Sequence, residues 1–205
     1  LIVGFGYWGP ILARNFHSNN NFIISSICDS NLSNLKKAKN LYPHSKFYES
    51  YKLALADKNI DLVVVSTPTK THYKIVKNEL ILKKNVMCEK PLTLKLLEVT
   101  ELIKLSKINK KFLFIDYPFI YSESVSYIKK IFHNRKLGKP LVYESIREKA
   151  PYRVDANVIW DLGIHDFAIL QYLLNESPGE FLSNEIKTKR DFKCDFANIN
   201  LKYKN

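Results

Sequence analysis

The chain has 205 residues, 46% of them hydrophobic, which is enough for one large domain or two small ones with a proper core. No apolar run reaches the roughly 18–20 residues of a membrane span, and no secretory leader is visible, so we expect no membrane association. The net charge of +12 suggests nucleic acid, but 27 of the 32 basic residues are lysines, scattered over helical stretches. This pattern disfavours a nucleic-acid partner and suits an anionic cofactor or substrate.

Short apolar strands alternate with helical stretches over the first half of the chain. Strands are predicted at 1–3, 22–28, near 47, 61–66, 85–88 and 112–115, with helices at 7–17, 31–41, 51–56, 71–82 and 94–108. Such alternation is typical of a parallel sheet with crossover helices on both faces. The sequence therefore predicts an α/β fold that opens with a doubly wound Rossmann domain over residues 1–116.

The alternation of strands and helices changes after residue 117. Helices are predicted at 122–134 and 161–174, and strands at 141–148, 180–188 and 196–203. Successive strands without crossover helices predict an α+β domain with a largely antiparallel open sheet over residues 117–205. The sequence ends inside this pattern, at KYKN. We therefore expect a fragment whose second domain is truncated at the C-terminus.

Three cysteines, Cys28, Cys88 and Cys194, lie far apart and form no Cys-x-x-Cys pair. Neither a zinc site nor a disulfide framework is supported by an odd number of isolated cysteines. Two of them end apolar strands, where a buried free thiol is the ordinary interpretation. We expect a reducing, cytoplasmic compartment and no metal.

The opening stretch LIVGFGYWGP carries Gly-x-Gly-x-x-Gly between a predicted strand and a predicted helix. In this context Gly4 permits the tight turn, Gly6 the close approach of a pyrophosphate, and Gly9 the packing of helix against strand. The pyrophosphate would lie at the positive end of the helix. The motif predicts a dinucleotide site.

An acidic residue at the end of the second strand supports the same site. Asp29 lies twenty residues after Gly9, where a carboxylate accepts hydrogen bonds from a ribose diol and repels a 2′-phosphate. Ser30 and Asn31 follow, with no arginine. This favours NAD over NADP. The alternative is that Asp29 only caps the next helix.

Two further motifs follow buried strands, STP at 66–68 and CEKP at 88–91, at the sheet edge where ligands bind in such folds. With them the chain resembles the Gfo/Idh/MocA oxidoreductases, since GFGYWG, STPTKTHY, VMCEKPL and WDLGIHD stand in that family's order. The resemblance covers essentially the whole chain. It implies a Rossmann domain, then a domain whose open sheet forms one wall of the active site and joins copies into a homo-oligomer.

The resemblance also implies residue roles. The implied catalytic residues are Lys90, Asp161 and His165. Cofactor contacts are implied for Gly4, Gly6, Tyr7, Trp8, Gly9, Asp29, Thr67, Pro68, His72, Glu89 and Lys90. Substrate contacts are expected at Lys90, Tyr121, Arg153, Asn157 and His165.

The spacing of Asp161 and His165 agrees independently with this pairing. Residues four apart share one helix face, and a carboxylate there orients an imidazole and stabilises its protonated form. Such a histidine can accept a hydroxyl proton while hydride leaves carbon. The alternative is an ion pair on the helix surface. Arg153 suits a phosphate or carboxylate, and equally a salt bridge.

GYWGPILARNF and RVDANVIWDLGIHD look most similar to the family branch that oxidises a ring hydroxyl of nucleotide-linked sugars in surface-polysaccharide synthesis. Asp116-Tyr117 and Ser122-Glu123 depart from that branch, where Gly-His and Asn-Pro are common. The leading hypothesis is an NAD-dependent dehydrogenase of such a sugar. The alternatives are a dehydrogenase of a free sugar or a cyclitol such as an inositol, a catalytically silent NAD-binding regulator, and a nucleic-acid binder.

Overall fold

A computed structural model describes residues 1–134, 138–148, 157–188 and 194–204. The chain forms two compact units, Leu1–Asp116 and Tyr117–Asn205. The first is built on a six-stranded parallel sheet with helices between the strands, and the second holds two helices and an antiparallel strand pair. The predicted fold class is confirmed.

The sheet of the first unit has the strand order β3-β2-β1-β4-β5-β6. Its strands are β1 (Ile2–Val3), β2 (Ser26–Cys28), β3 (Lys46–Tyr48), β4 (Leu62–Val65), β5 (Asn85–Glu89) and β6 (Leu113–Asp116). The helices are α1 (Gly9–His17), α2 (Leu32–Leu41), α3 (Tyr51–Leu55), α4 (Thr69–Ile81) and α5 (Leu96–Asn109). Because the order reverses between β1 and β4, a crevice opens at the carboxyl ends of these two strands.

Side chains of β4 alternate between two apolar layers, one on each face of the sheet. Val63 and Val65 pack with Val76 and Leu80 of α4, whereas Val64 belongs to the layer on the other face. Each valine is at most 2% exposed, and burying such a side chain contributes about 1.5–3 kcal/mol. The continuous apolar run of β4 therefore reflects burial on both faces, as parallel sheets require.

The strand predicted over 22–28 is shorter in the structure, where β2 covers Ser26–Cys28 and Ile23 is exposed. Its neighbours explain the difference, because β1 pairs with two of its residues and β3 with three. A strand extends only as far as its neighbours can pair with it. The β-branched run before Ser26 lacks such pairing.

The second unit begins with a short 3₁₀ helix, Pro118–Tyr121. It continues through α6 (Glu123–His133), a π-helical turn (Ile159–Gly163), α7 (Ile164–Leu174), β7 (Glu180–Ile186) and β8 (Phe196–Lys202). Strands β7 and β8 pair antiparallel along their whole length. The predicted helix over 161–174 thus divides into a wide π turn and a regular helix.

The strand predicted over 141–148 is wrong, since this described segment has no strand hydrogen bonding and Leu141 and Val142 are exposed. Its alternation of apolar and polar residues suits a strand, but a strand needs a neighbour to pair with. In the part of the chain that the structure describes, β7 and β8 pair with each other and not with this segment.

All three cysteines are buried free thiols, and burial raises the pKa of Cys28 to about 11. Within the described ranges, none of the helices combines the length and the apolar composition that crossing a bilayer requires. The same ranges hold no group of three or more His, Cys, Asp and Glu side chains placed to bind a metal ion.

Candidate functional site

The glycine turn between β1 and α1 is shaped by backbone contacts that exclude side chains. Gly4 has a φ of +94°, and a Cβ atom there would lie 2.7 Å from the carbonyl oxygen of Ser66. A Cβ atom on Gly9 would overlap the carbonyl oxygen of Gly4. By contrast, a Cβ atom on Gly6 would face open space. Close backbone contacts at Gly4 and Gly9 therefore fix the turn, while Gly6 leaves it open on its other side, as a pyrophosphate site requires.

The end of β4 holds this turn in place. The hydroxyl of Ser66 donates a 2.8 Å hydrogen bond to the carbonyl oxygen of Gly4. Helix α1 then begins at Gly9, preceded by the exposed rings of Tyr7 and Trp8. The indole of Trp8 has no acceptor with which to cap the helix, so the positive end of α1 faces the turn.

Asp29 connects the glycine turn to the end of β2. Its Oδ2 accepts hydrogen bonds from the backbone N–H of Phe5 at 2.6 Å and from the side chain of Asn34 at 3.1 Å. The cap of α2 is Asn31, whose side chain accepts from the N–H of Ser33. Asp29 also supports the start of this helix, since its Oδ1 accepts from the N–H of Asn31 at 2.7 Å, but its bond to Phe5 shows that this is not its only role. Its half-buried carboxylate lies beside the turn.

His72 joins the two loops that carry STP and CEKP. The imidazole is 1% exposed, with Nδ1 2.9 Å from the carbonyl oxygen of Pro91 and Nε2 2.7 Å from that of Thr67. Burial lowers the pKa of His72, while the two carbonyl oxygens oppose that shift. The hydroxyl of Thr71 adds bonds to the Thr67 hydroxyl and the Pro68 carbonyl. In this unit, His72 acts by shaping the loop that leads from Lys90 to Pro91.

Two carboxyl groups lie side by side next to Lys90. Glu89 and Asp116 are register partners on β5 and β6, so both side chains project from the same face of the sheet. Burial, followed by the charge of Asp116, raises the pKa of Glu89 to about 7, and burial also raises the pKa of Asp116. The backbone N–H of Lys90 donates to Glu89 Oε2 at 3.2 Å.

Glu89 is a predicted site residue, whereas Asp116 stood out in the sequence only as a departure from a family pattern. The available signal was that Glu89 and Asp116 each directly follow one of two consecutive predicted strands, 85–88 and 112–115. Burial, and for Glu89 also the charge of Asp116, hold the pKa of each carboxyl group above its ordinary value.

In the second unit the predicted acid–base pair is buried. Asp161 lies in the π-helical turn and His165 follows at the start of α7, with exposed fractions of 8% and 9%. The alternative of a surface ion pair is therefore wrong. Sequence periodicity predicted a regular helix here, and the extra residue of a π turn is a feature often found at functional sites.

The predicted substrate residues of this unit differ in their placement. Asn157 uses its amide internally, since Oδ1 accepts from the N–H of Ile159 at 2.8 Å and Nδ2 donates to Glu185 at 3.1 Å. It anchors the π turn to β7. Tyr121 is exposed at the end of the 3₁₀ helix. Arg153 lies outside the described residues.

Each unit thus brings together part of the predicted site. Gly4, Asp29, Thr67 and Lys90 follow β1, β2, β4 and β5, whose carboxyl ends share one edge of the parallel sheet. Asp161 and His165 lie four residues apart in the second unit, and both are buried. The first group has the geometry of a dinucleotide site, and the second has the chemistry of a proton acceptor.

Comparison with known proteins agrees with this geometry. The family described as "Oxidoreductase family, NAD-binding Rossmann fold" matches residues 1–117, which is more than half of the chain. The first unit is therefore the NAD-binding domain of an oxidoreductase family. The chain belongs to the Gfo/Idh/MocA family, as its motifs indicated.

A myo-inositol 2-dehydrogenase of Thermotoga maritima is 30% identical over 189 residues, covering 89% of this chain and 57% of the relative. A probable dehydrogenase structure from Thermotoga maritima has a TM-score of 0.86 at 27% identity, covering 99% of this chain and 64% of that one. An Agrobacterium radiobacter oxidoreductase solved with NAD+, L-tartaric acid and magnesium shares the fold at 19% identity and TM-score 0.86, covering 99% and 62%. This chain thus spans less than two thirds of each.

Removing the charge of Asp29 is expected to weaken NAD binding and relax the discrimination against NADP. In Asp29→Asn an amide oxygen still accepts from Phe5, but the acceptor of the ribose diol is neutral and no longer repels a 2′-phosphate. We expect roughly tenfold weaker NADH binding by fluorescence titration, with NADPH binding improved. Asp61→Asn, an exposed carboxylate before β4, is the control. Unchanged discrimination in Asp29→Asn would contradict the assignment.

Replacing His72 is expected to destabilise the first unit. His72→Phe leaves the carbonyl oxygens of Thr67 and Pro91 without their buried partner, at a cost of roughly 2–4 kcal/mol. Urea unfolding of the complete protein measures this loss. His44→Phe changes an exposed histidine of the same unit and should unfold like the wild type. Equal stability of the two variants would show that the contacts of His72 contribute little to the free energy of unfolding.

Glu89 is expected to make the fold less stable as pH rises. Its pKa is raised in the folded state, so its contribution is fully present below about pH 4.5 and is lost as pH rises through about 7. Glu89→Gln should flatten this fall by on the order of 2 kcal/mol, after allowance for screening by water. Thermal unfolding midpoints across this range provide the measurement. The exposed carboxylate of Glu49 supplies the control, Glu49→Gln. If the unfolding midpoint of Glu89→Gln fell with pH as steeply as that of the wild type, the effect would be refuted.

Proposed function

We propose that the protein is an NAD-dependent dehydrogenase that oxidises a secondary ring hydroxyl of a cyclic polyol to a ketone. The observation that carries this proposal is the buried Asp161 and His165 at a π turn, in a chain whose first unit is an NAD-binding Rossmann domain. A buried carboxylate and imidazole one turn apart form an acid–base device. Dehydrogenation of an alcohol needs such a device together with a hydride acceptor.

The first unit would hold the cofactor through residues that fit it. Backbone groups of the glycine turn and the N-terminus of α1 suit the pyrophosphate, and Asp29 suits the adenosine ribose. Bound NAD supplies the hydride acceptor. The negative charge of Asp29 beside the turn favours NAD over NADP, because it repels a 2′-phosphate.

His165 accepts the proton of the substrate hydroxyl. The O–H proton passes to a nitrogen of its imidazole, the carbon–hydrogen bond breaks with its electron pair leaving as hydride, and the carbon–oxygen double bond forms. Asp161 stabilises the imidazolium that results. Lys90, a catalytic residue implied by the family resemblance, carries an ammonium group that suits the stabilisation of negative charge on a substrate oxygen.

Two substrate classes are supported by different observations. Relatives named inositol dehydrogenases, among them the one from Thermotoga maritima, favour a cyclitol such as an inositol. The motifs around Gly9 and Asp161 favour a nucleotide-linked sugar of polysaccharide synthesis. We place the cyclitol first, because similarity over 89% of the chain outweighs two short motifs. A silent regulator is disfavoured, because it would not need all three of Lys90, Asp161 and His165.

Two further features support proposals about the assembly of the protein and its cellular compartment. Exposed apolar side chains on β7 and β8, including Phe181, Leu182 and Phe196, support association of copies through this strand pair. Three buried free thiols support a reducing, cytoplasmic compartment.

The test of function is NADH formation by the complete protein. A panel of inositols, free sugars and UDP-sugars separates the two substrate classes, with the highest kcat/KM expected for a cyclitol. Turnover of UDP-sugars alone would select the second class. NADH binding without turnover of any polyol would support the silent regulator.

Removing either proposed catalytic side chain should abolish turnover without affecting cofactor affinity. Lys90→Ala and His165→Ala are each expected to lower kcat by roughly 10²–10⁴-fold, because the first loses a cation that stabilises developing negative charge and the second loses the proton acceptor. NADH affinity should stay within about twofold of wild type. Lys74→Ala and His44→Ala, which change exposed residues, are matched controls. Full activity of His165→Ala at all pH values would refute the base assignment.

A further inference from the structure

The imidazole of His165 packs against an aromatic ring that the sequence analysis did not single out. Phe119, in the 3₁₀ helix, meets it edge to face, with ring centroids 4.8 Å apart and planes at 79°. Such aromatic contacts contribute about 0.5–1.5 kcal/mol beyond area burial. The torsion that sets a histidine ring plane is broad and roughly two-fold, so packing rather than rotamer preference selects the plane.

A cation covers the ring of Phe119 in turn. The guanidinium carbon of Arg147 lies 4.7 Å from the ring centroid, within cation–π range. A planar guanidinium suits this stacking better than an ammonium group does. Phe119 thus lies between Arg147 and His165.

Arg147 is itself fixed by the residue that follows His165. Its Nε donates to Asp166 Oδ2 at 2.5 Å and its Nη2 to Oδ1 at 3.2 Å, while the hydroxyl of Tyr143 donates to Oδ1 at 2.8 Å. Burial would raise the pKa of Asp166, but the bonds from Arg147 and Tyr143 outweigh it and hold that pKa below its usual range. The arginine and aspartate side chains are 23% and 16% exposed, so the pair is partly shielded from water.

These contacts form a closed ring. It runs from His165 to Phe119, to Arg147, to Asp166, and returns through the peptide bond that joins Asp166 to His165. Each member is restrained by the next, since a bidentate arginine–carboxylate pair allows little rotation. The ring plane of His165 therefore depends on residues from three segments of the unit.

We propose that Phe119 and Arg147 are positioning residues that fix the imidazole plane of His165, with Asp166 as their anchor. This rests on the proposed function in one respect only, namely that His165 accepts the substrate proton. A base held in one plane keeps its nitrogen aligned with the hydroxyl. Small misplacement of a catalytic group costs up to about a hundredfold in rate.

The test uses the complete protein and five variants. Phe119→Leu removes the ring, and Phe119→Tyr keeps it. Arg147→Met removes the cation, and Arg147→Lys keeps the charge but loses the bidentate fork, in case the methionine variant does not fold. Lys129→Met is the matched control, because Lys129 lies 3.5 Å above the ring of Tyr172 elsewhere in this unit.

Two measurements distinguish positioning from a general structural role. Phe119→Leu, Arg147→Met and Arg147→Lys should move the imidazole C–H resonances of His165 in NMR spectra. They should also lower kcat by roughly ten- to a hundredfold, with KM for NAD within about twofold. Phe119→Tyr should restore both properties, and Lys129→Met should change neither.

The outcomes separate the two hypotheses. Unmoved His165 resonances in folded Arg147→Met and Arg147→Lys protein, in which the Phe119 ring and its ring current are retained, would overturn the positioning role, whether or not the protein is active. Equal shifts in Lys129→Met would overturn it as well. Moved resonances in a protein that oxidises no polyol would uphold the positioning of His165 and reject the proposed function.

Discussion

The carbonyl oxygen of Gly4 lies against Gly9 on one side and accepts a hydrogen bond from Ser66 on the other. A side chain at either glycine would push the start of α1 away from β1 and β4. This close approach brings the positive end of the helix over the crevice where the strand order reverses. The arrangement of the first unit depends on it, because Asp29 reaches the N–H of Phe5 only while the turn stays closed.

A second constraint is the cost of burying polar groups. An imidazole inside an apolar layer is unfavourable unless it is hydrogen-bonded, and the two nitrogens of His72 lie within hydrogen-bond distance of carbonyl oxygens from two different loops. Glu89 is also buried, but it lies beside the carboxyl group of Asp116. Burial and the charge of Asp116 raise the pKa of Glu89, so it keeps its proton to higher pH. His72 thus joins two loops at the edge of the sheet, and Glu89 holds a carboxyl group of raised pKa at the same edge.

Much of the first unit was predictable because its signals are local. Glycines between a strand and a helix, and an acid at the end of the next strand, are set by what their own backbone must do. Pairing between segments is not local. The alternation in 141–148 indicates which side chains would share a face but not which strand is the neighbour, and the prediction failed there. The adjacency of Glu89 and Asp116, and the internal bonds of Asn157, likewise depend on contacts between distant residues.

The hydrophobic periodicity of the sequence could not predict the π-helical turn for a different reason. Residues that are spaced for an α-helix also fit a wide turn of five residues. That turn holds one more residue than a regular helical turn would. Each residue of an α-helix advances by about 100° around its axis, so the extra residue offsets Asn157 and Val158 by about that angle from the positions that a regular continuation of α7 would give them. This offset sets the side from which Asn157 reaches Glu185 of β7. Removing one residue from the turn would redirect Asn157 and break this bond, while the imidazole-bearing helix stayed in place.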